Sequence, residues 1–366
     1  MTTSTLETRT GPVGFGYQDQ TSFPAVARAF VEVSAEAKSQ GLLERAQGFY
    51  LVVGIALTAA LAACLTGLVL LGDTWWQLLI AAALGVVLTQ IAFVAHEAAH
   101  RQILASGPAN DRLARVVAAG VVGISYSWWD SKHSRHHANP NRVGRDPDID
   151  ADTISFLEEE AATTSGWRRR LVRRQGWLFF PLLTLEGLNL HFQGVRHLCG
   201  RGEIRGRWLE LGLIAGRFAA LIGLIFWMLP PGMAMSFLAV QLAVFGVYMG
   251  ASFAPNHKGM PVIAPDAKLD FFSKQVRTSR NIAGGWWATW LMGGLNYQVE
   301  HHLFPNMPRP HLARARLIVK RQCEHLEVPY TEVSLWRSYA IVIAYLNRVG
   351  LAARDPFECP MHALRR

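Results

Sequence analysis

WWQLLIAAALGVVLTQIAFVAHEAAH, residues 75–100, carries two messages in one stretch. From Trp75 to Ala95 it has no charged residue, and its length matches the roughly 20 residues a helix needs to cross the hydrocarbon core of a bilayer. With no glycine or proline between Ile91 and His100, nothing stops that helix before it delivers His96, Glu97 and His100. The i, i+4 spacing places both imidazoles on one face of the continuing helix, where it leaves the apolar layer.

Working outward, Phe49–Leu71 precedes this span across Gly72-Asp73-Thr74. A second apolar pair, Leu209–Leu229 and Met233–Ala254, is separated by Pro230-Pro231-Gly232. These predict two tight helical hairpins and an all-α integral membrane protein. Composition agrees: 51% of the 366 residues are hydrophobic, 17% are charged, and mean hydropathy is +0.16. A soluble domain carries roughly 25% charged residues. The length suits one large domain or two ordinary ones.

Neither hairpin tip carries Lys or Arg, although the net charge is +9. Of the 36 basic residues, 4 precede the first span, 16 lie between Arg101 and Arg207, and 15 follow His257. The positive-inside rule then predicts that both termini and the long middle segment are cytoplasmic. The reading divides the chain into a cytoplasmic segment 1–48, a core domain 49–310 and a cytoplasmic helical segment 311–366. No short apolar run opens residues 1–48, so no cleaved secretory signal is expected. The scattered cysteines Cys64, Cys199, Cys323 and Cys359 contain no CxxC pair and read as reduced structural thiols.

Within the third span, Arg217 stands seven residues after Glu210 on the same helix face. The simplest expectation is an arginine snorkelling from a helix end, with a Glu210 pairing as the functional alternative. Leu113–Tyr126 is apolar but too short to cross, which suggests a buried or re-entrant helix. Trp177–Leu190, broken by Pro181, reads as an amphipathic piece lying along the leaflet. The basic cluster Arg168-Arg169-Arg170 with Arg173-Arg174 fits acidic headgroups or a solvated face equally.

Three further histidine groups join His96 and His100. HSRHH gives His133, His136 and His137; QVEHH gives Gln298, His301 and His302; and His257 closes the fourth span in FAPNHKG. Asn296 is a candidate cap for the QVEHH helix and Pro305 its stop. HEAAH alone also fits the HExxH zinc pattern, but a catalytic zinc takes three protein ligands. Eight imidazoles on one side of the membrane divide more naturally between two ions of higher coordination number. Glu97, Asp130, Asp146, Asp148 and Glu300 are positioned to orient them by accepting their free N–H groups. His191, His197, His311, His325 and His362 fall outside the clusters and read as surface or structural.

The order HEAAH, HSRHH, QVEHH, interleaved with paired spans, resembles the membrane-bound fatty acid desaturases over about Phe49–Pro310. GRDPDID after the second box and HHLFPNMPR around the third resemble the desaturase branch rather than its hydroxylase relatives. Gln298 in the first place of the third box resembles the subgroup containing front-end and some bacterial acyl-CoA desaturases. The resemblance implies a non-haem di-iron centre on a cytoplasmic helical cap, using O₂ and electrons to remove hydrogens from an acyl chain linked to CoA, a carrier protein or a lipid. Its ligands would be His96, His100, His133, His136, His137, His257, His301 and His302, with Gln298 weak or supporting.

Breaking unactivated C–H bonds is beyond acid–base catalysis, so the metal must supply that chemistry, while the protein supplies a narrow apolar tunnel. Trp286, Trp287 and Trp290 could wall it or form an interfacial belt. The sequence shows no HPGG haem motif and no Gly-rich flavin or nicotinamide fingerprint. Electrons are therefore expected from a separate ferredoxin or cytochrome b5 with its reductase, drawn to the basic face. No nucleic-acid partner is expected. The competing readings are a di-iron lipid hydroxylase or ketolase, a zinc-dependent membrane hydrolase and, weakest, a metal transporter.

Overall fold

The computed structural model describes residues 23–150 and 152–354. Helix α1 (Phe23–Ser39) precedes α2 (Gln47–Leu70) and α3 (Gln77–Ala99). The short α4 (Gly107–Arg115) runs into a π-helical turn, Val116–Val122, and then into α5 (Tyr126–Ala138). Next come α6 (Glu158–Thr163), α7 (Gly166–Val172), α8 (Gln175–Leu183) and α9 (Glu186–Leu198), before α10 (Arg207–Met228) and α11 (Pro231–His257). The remainder is α12 (Phe271–Thr278), β1 (Arg280–Ala283), α13 (Gly285–Leu291), α14 (Gln298–Leu303), α15 (Leu312–His325), β2 (Thr331–Ser334) and α16 (Leu335–Leu351).

The four expected spans are present: α2, α3, α10 and α11 are long and apolar enough to cross a membrane. The chain is mostly helical but not wholly so, because β1 and β2 pair in parallel from Arg280 opposite Thr331 to Ala283 opposite Ser334. Four-residue strands with no clean alternation give little period-2 signal. Their pairing ties the C-terminal helices to the segment that precedes the third histidine box.

At the centre, α3 packs along α11. A Cβ on Gly85 would come within 2.8 Å of the Gln241 carbonyl, so the absent side chain permits the close crossing. Around it Ala81, Leu84 and Leu88 interleave with Phe237 and Phe245. Lipid tails are as apolar as leucine, so such contacts, rather than water exclusion, hold spans together. Outside this pair, α2 folds back on α3 through Cys64 and Leu68. The buried Gln77 amide clasps that turn, donating to the carbonyls of Leu68 and Gly72 at 2.9 Å each.

The second pair is joined through only Leu229 and Pro230, a short turn as expected, but its two helices make little contact. α10 packs mainly against the π-helical turn. Pro230 caps α11 and Pro231 begins it, and α9 packs against both spans. Two spans also outrun their apolar lengths: α3 continues past Ala95 to Ala99 and α11 past Ala254 to His257. In α11, Pro255 deprives the Ala251 carbonyl of its helical donor, and the Tyr339 hydroxyl donates to it at 2.9 Å.

Trp177–Leu190 is two helices rather than one piece. Pro181 lies inside α8, and the break falls three residues later at Thr184–Leu185. Trp177, Leu185, Leu188 and Phe192 are exposed along this pair, as a leaflet-lying segment requires. The short apolar segment packs into the protein as expected, with the π turn set between α3 and α10 and α4 packed on α3, although Val116 is exposed.

Arg217 does not snorkel. Its Nε donates to the Val121 carbonyl at 3.1 Å, and its guanidinium lies 4.8 Å from the Phe218 ring centroid. Nor does it pair with Glu210, which instead takes Arg115 Nε at 3.0 Å. At the other end of the molecule, α1, α12 and α15 enclose the third-box segment in one apolar cluster that includes Val33, Phe272, Val299 and Leu303. α16 packs on α8.

Candidate metal centre

Each histidine-bearing element is anchored by a different local device. α3 carries His96 and ends on His100. α5 begins where the Ser125 hydroxyl accepts from Trp128 N at 3.1 Å. That start is pinned by the buried Glu210, which also accepts from the Ser125 hydroxyl at 2.7 Å and from Ser127 N at 3.2 Å. α14 is a short helix with Tyr297 at its N-cap and carries the third box. The expected Asn296 cap is absent: both polar atoms of its buried side chain lack a hydrogen-bond partner. The helix ends at Leu303, ahead of Pro305 as expected.

The eight histidines converge in two neighbouring groups. His96, His100, His133, His137 and His301 form one; His136, His257 and His302 form the other; within each, one ring nitrogen per residue lies within 4.8 Å of the rest. In the first, His133 Nε2 stands 3.1 Å from His96 Nε2, 3.0 Å from His100 Nε2 and 3.0 Å from His137 Nε2. In the second, His257 Nε2 is 3.2 Å from His136 Nε2 and 2.9 Å from the Gln298 amide nitrogen. Each His-His pair is shared out, with His137 and His301 going to the first group and His136 and His302 to the second. The rings of His137 and His302 stack at 4.2 Å across the boundary.

Protonation chemistry tests whether these groups suit a metal. His257 Nδ1 donates to the Thr278 carbonyl at 2.9 Å and His302 Nδ1 to Gln275 Oε1 at 3.0 Å. His136 Nδ1 lies 3.0 Å from both oxygens of Asp146 and 3.4 Å from Asp148. A neutral imidazole donating through Nδ1 presents a bare lone pair at Nε2. The Nε2 atoms of His301 and His302 are buried with no hydrogen-bond partner. Burial holds His133, His137, His301 and His302 well below the usual imidazole range and pushes His100 down to about 3. Burial also pulls on His136, but the Asp148 and Asp146 carboxylates outweigh it and raise that imidazole. Lone pairs crowded together in a dry site repel unless a cation takes them, so the two groups are compatible with a metal site.

Of the candidate orienting carboxylates, Asp146 and Asp148 touch a histidine and the other three do not. Glu97 forms a buried bidentate pair with Arg309, at 2.6 Å to both Nε and Nη2. Tyr50 joins this network through Glu97 at 3.3 Å and Gln102 at 3.0 Å. Glu300 accepts from the Asn281 amide at 2.7 Å and the Tyr330 hydroxyl at 2.8 Å, and burial pushes its carboxyl up to about 7. Asp130 bonds no site histidine. Glu97 and Glu300 sit on helix faces turned away from the rings, where they hold the backbone carrying the boxes. The sequence reading missed Gln275, Thr278 and Asn281, which lie in no motif. Arg309 closes the quoted HHLFPNMPR and was within reach.

A small, mainly apolar chamber of about 40 Å³ lies beside His96, lined by Ala92 and Ala95 of α3, Val122 and Ile124 around the π turn, and Met249 and Phe253 of α11. The tryptophans do not wall it: Trp286, Trp287 and Trp290 are 78%, 43% and 47% exposed, as an interfacial belt would be. Outside the groups, His191 is buried, His311 donates to the Leu42 carbonyl at 2.8 Å and His325 is exposed. His362 and Cys359 lie outside the described residues.

Comparison with known proteins gives the family. The sequence profile described as fatty acid desaturase matches residues 73–334. A Delta(8)-fatty-acid desaturase of Helianthus annuus is 28% identical over 353 residues, spanning 90% of this chain and 75% of that protein. A Delta(6)-fatty-acid desaturase of Caenorhabditis elegans is 25% identical over 338 residues, spanning 89% of this chain and 75% of its own length. A Delta 8-(E)-sphingolipid desaturase of Kluyveromyces lactis is 26% identical over 303 residues, 78% of this chain and 53% of that protein. With all three histidine boxes inside the matched region, the chain belongs to the fatty acid desaturase family and is an enzyme that desaturates acyl chains.

Proposed function

We propose that this enzyme is an O₂-dependent acyl desaturase whose eight histidines hold two non-haem irons, and that it acts on acyl-CoA or acyl-lipid with electrons from a ferredoxin or cytochrome b5-type donor. One observation carries the reading: the imidazoles gather into two adjacent donor groups, in which burial holds rings such as His301 and His302 well below the usual imidazole range. His96, His100, His133, His137 and His301 would hold one iron. His136, His257 and His302 would hold the other, with Gln298 or a water completing it. When bound, the irons supply the O₂ activation and hydrogen abstraction that side chains cannot.

The remaining work belongs to the chain itself. The chamber between α3, the π turn and α11 would place one carbon–carbon bond of an extended acyl chain beside His96. Its apolar lining keeps water from the reacting carbons. Asp146, Gln275 and the Thr278 carbonyl fix the rings of His136, His302 and His257 by taking their Nδ1 protons in hydrogen bonds. The positive-inside distribution supports termini and boxes on the cytoplasmic side, where a soluble donor can reach them.

Purified enzyme should contain about two irons per chain. With reductant and an acyl substrate it should consume O₂ and yield a product that has lost hydrogen without gaining oxygen. A hydroxylated product, or zinc in place of iron, overturns the reading. Asp150→Cys should label from the cytoplasmic side of intact membranes and not from outside.

A further inference from the structure

The chamber wall formed by the π turn has an unusual support. A π-helical turn widens the backbone and leaves carbonyls without their regular i+4 donors. Here it closes as the amides of Gly123 and Ile124 both reach back to the Ala118 carbonyl, at 2.8 and 2.9 Å. Gly123 has φ +94°, a conformation that L side chains rarely adopt, and a Cβ there would sit 3.3 Å from Phe218 and 3.4 Å from Arg217. Two carbonyls next to this closure take donors from other helices. Val121 O accepts from Arg217 Nε of α10 at 3.1 Å, and Gly123 O accepts from His191 Nδ1 of α9 at 3.0 Å. Their neighbours in sequence, Val122 and Ile124, face the chamber beside His96.

Both donors are themselves held in place. The His191 ring stacks on Phe245 at 5.8 Å and meets Phe218 edge-on at 5.1 Å. Burial, then the nearby Arg217, push His191 down to about 4, so it stays a neutral Nδ1–H donor. On the same face of α9, Gly187 and Gly194 have no room for a side chain: a Cβ would meet the Leu242 carbonyl at 2.5 Å and Ser125 N at 3.1 Å respectively. A guanidinium within a span is costly, and the bond to Val121 O and the contact with the Phe218 ring offset part of that cost.

We infer that Arg217 and His191 are positioning residues for acyl selectivity, fixing from behind the π-helical wall that sets the shape of the chamber. Neither lines the chamber, yet each bonds a carbonyl within one residue of a side chain that does. The inference rests on the proposed acyl chamber, and the test separates the two.

The enzyme is given a competing mixture of saturated acyl chains of different lengths, and product lengths and double-bond positions are read by mass spectrometry beside iron content. Arg217→Met keeps the bulk and loses the donor; His191→Phe does the same from α9. Each should change the ratio between chain lengths, or the bond position, on the order of ten-fold, the discrimination one methylene commands in an apolar pocket. Iron per chain should match wild type, and Arg217→Lys, which can still donate to Val121 O, should restore the wild-type ratio. If Arg217→Met does not accumulate, His191→Phe decides alone. An equal fall for every substrate, or an unchanged ratio in a variant with full iron, overturns the inference. Wild-type enzyme that forms no unsaturated product overturns the proposed chemistry instead.

Discussion

The two histidine groups are built on different principles. In the five-histidine group, two buried Nδ1 atoms, those of His96 and His137, have no hydrogen-bond partner, and the rings are placed by helix spacing and by packing such as Trp129 stacked 4.3 Å from His133. In the three-histidine group, every Nδ1 has an acceptor: Asp146 for His136, the Thr278 carbonyl for His257 and Gln275 for His302. A large donor set tolerates loose rings because no single imidazole decides occupancy. A small one needs each ring oriented, and here that orientation comes from tertiary structure.

The sharpest test of this contrast removes one ligand from each group. His136→Ala and His301→Ala should both drop product formation to background in a fatty acid profile. Iron analysis should tell them apart. His136→Ala should fall to about one iron per chain, because that group retains only His257 and His302, whereas His301→Ala should retain closer to two. Equal iron loss would break the comparison.

Next, His257→Ala should lose iron and activity together, whereas Gln298→Ala should lose less of both, since an amide is a poorer donor to ferrous iron than imidazole. Normal turnover with two irons in the His257→Ala enzyme would remove it from the ligand set. A smaller effect is expected for Asp146→Asn, which keeps the shape but weakens the hold on His136. Second-sphere changes of this kind cost about 10–100-fold in metal affinity or activity, readable by iron titration.

The mildest change in catalysis, though not in stability, should come from the Glu97–Arg309 clamp. Arg309→Met strands a buried carboxylate and should destabilise the protein by about 3–5 kcal/mol, measured by thermal unfolding in detergent. Adding Glu97→Gln should recover part of that loss. No recovery would mean that Arg309 acts through packing alone.

The same contrast explains what could be read from the sequence. His96, His100, His133, His136, His137, His301 and His302 declare themselves because a helix converts spacing into facing, and spacing is written in the chain. His257 was legible as the residue that ends an apolar span. Gln275 and Thr278 were not, because they come from a short helix whose contact with His302 and His257 exists only after α12 folds beneath the site. Glu97 and Glu300 misled for a related reason. A carboxylate next to a ligand in sequence points about 100° away from it on a helix, so each found its partner elsewhere, in Arg309 and in Asn281 with Tyr330. Likewise Pro181 signalled a break that α8 absorbs for two more residues.

The division of His136-His137 and His301-His302 between the groups turns two peptide bonds into a ruler. One residue's rotation about a helix axis sends neighbouring rings into different donor sets, so the distance between the sets is inherited from bond lengths rather than from the fit of one span against another. The same arrangement leaves no tolerance for register. A single residue inserted between either pair would swing the second ring of that pair about 100° out of its set.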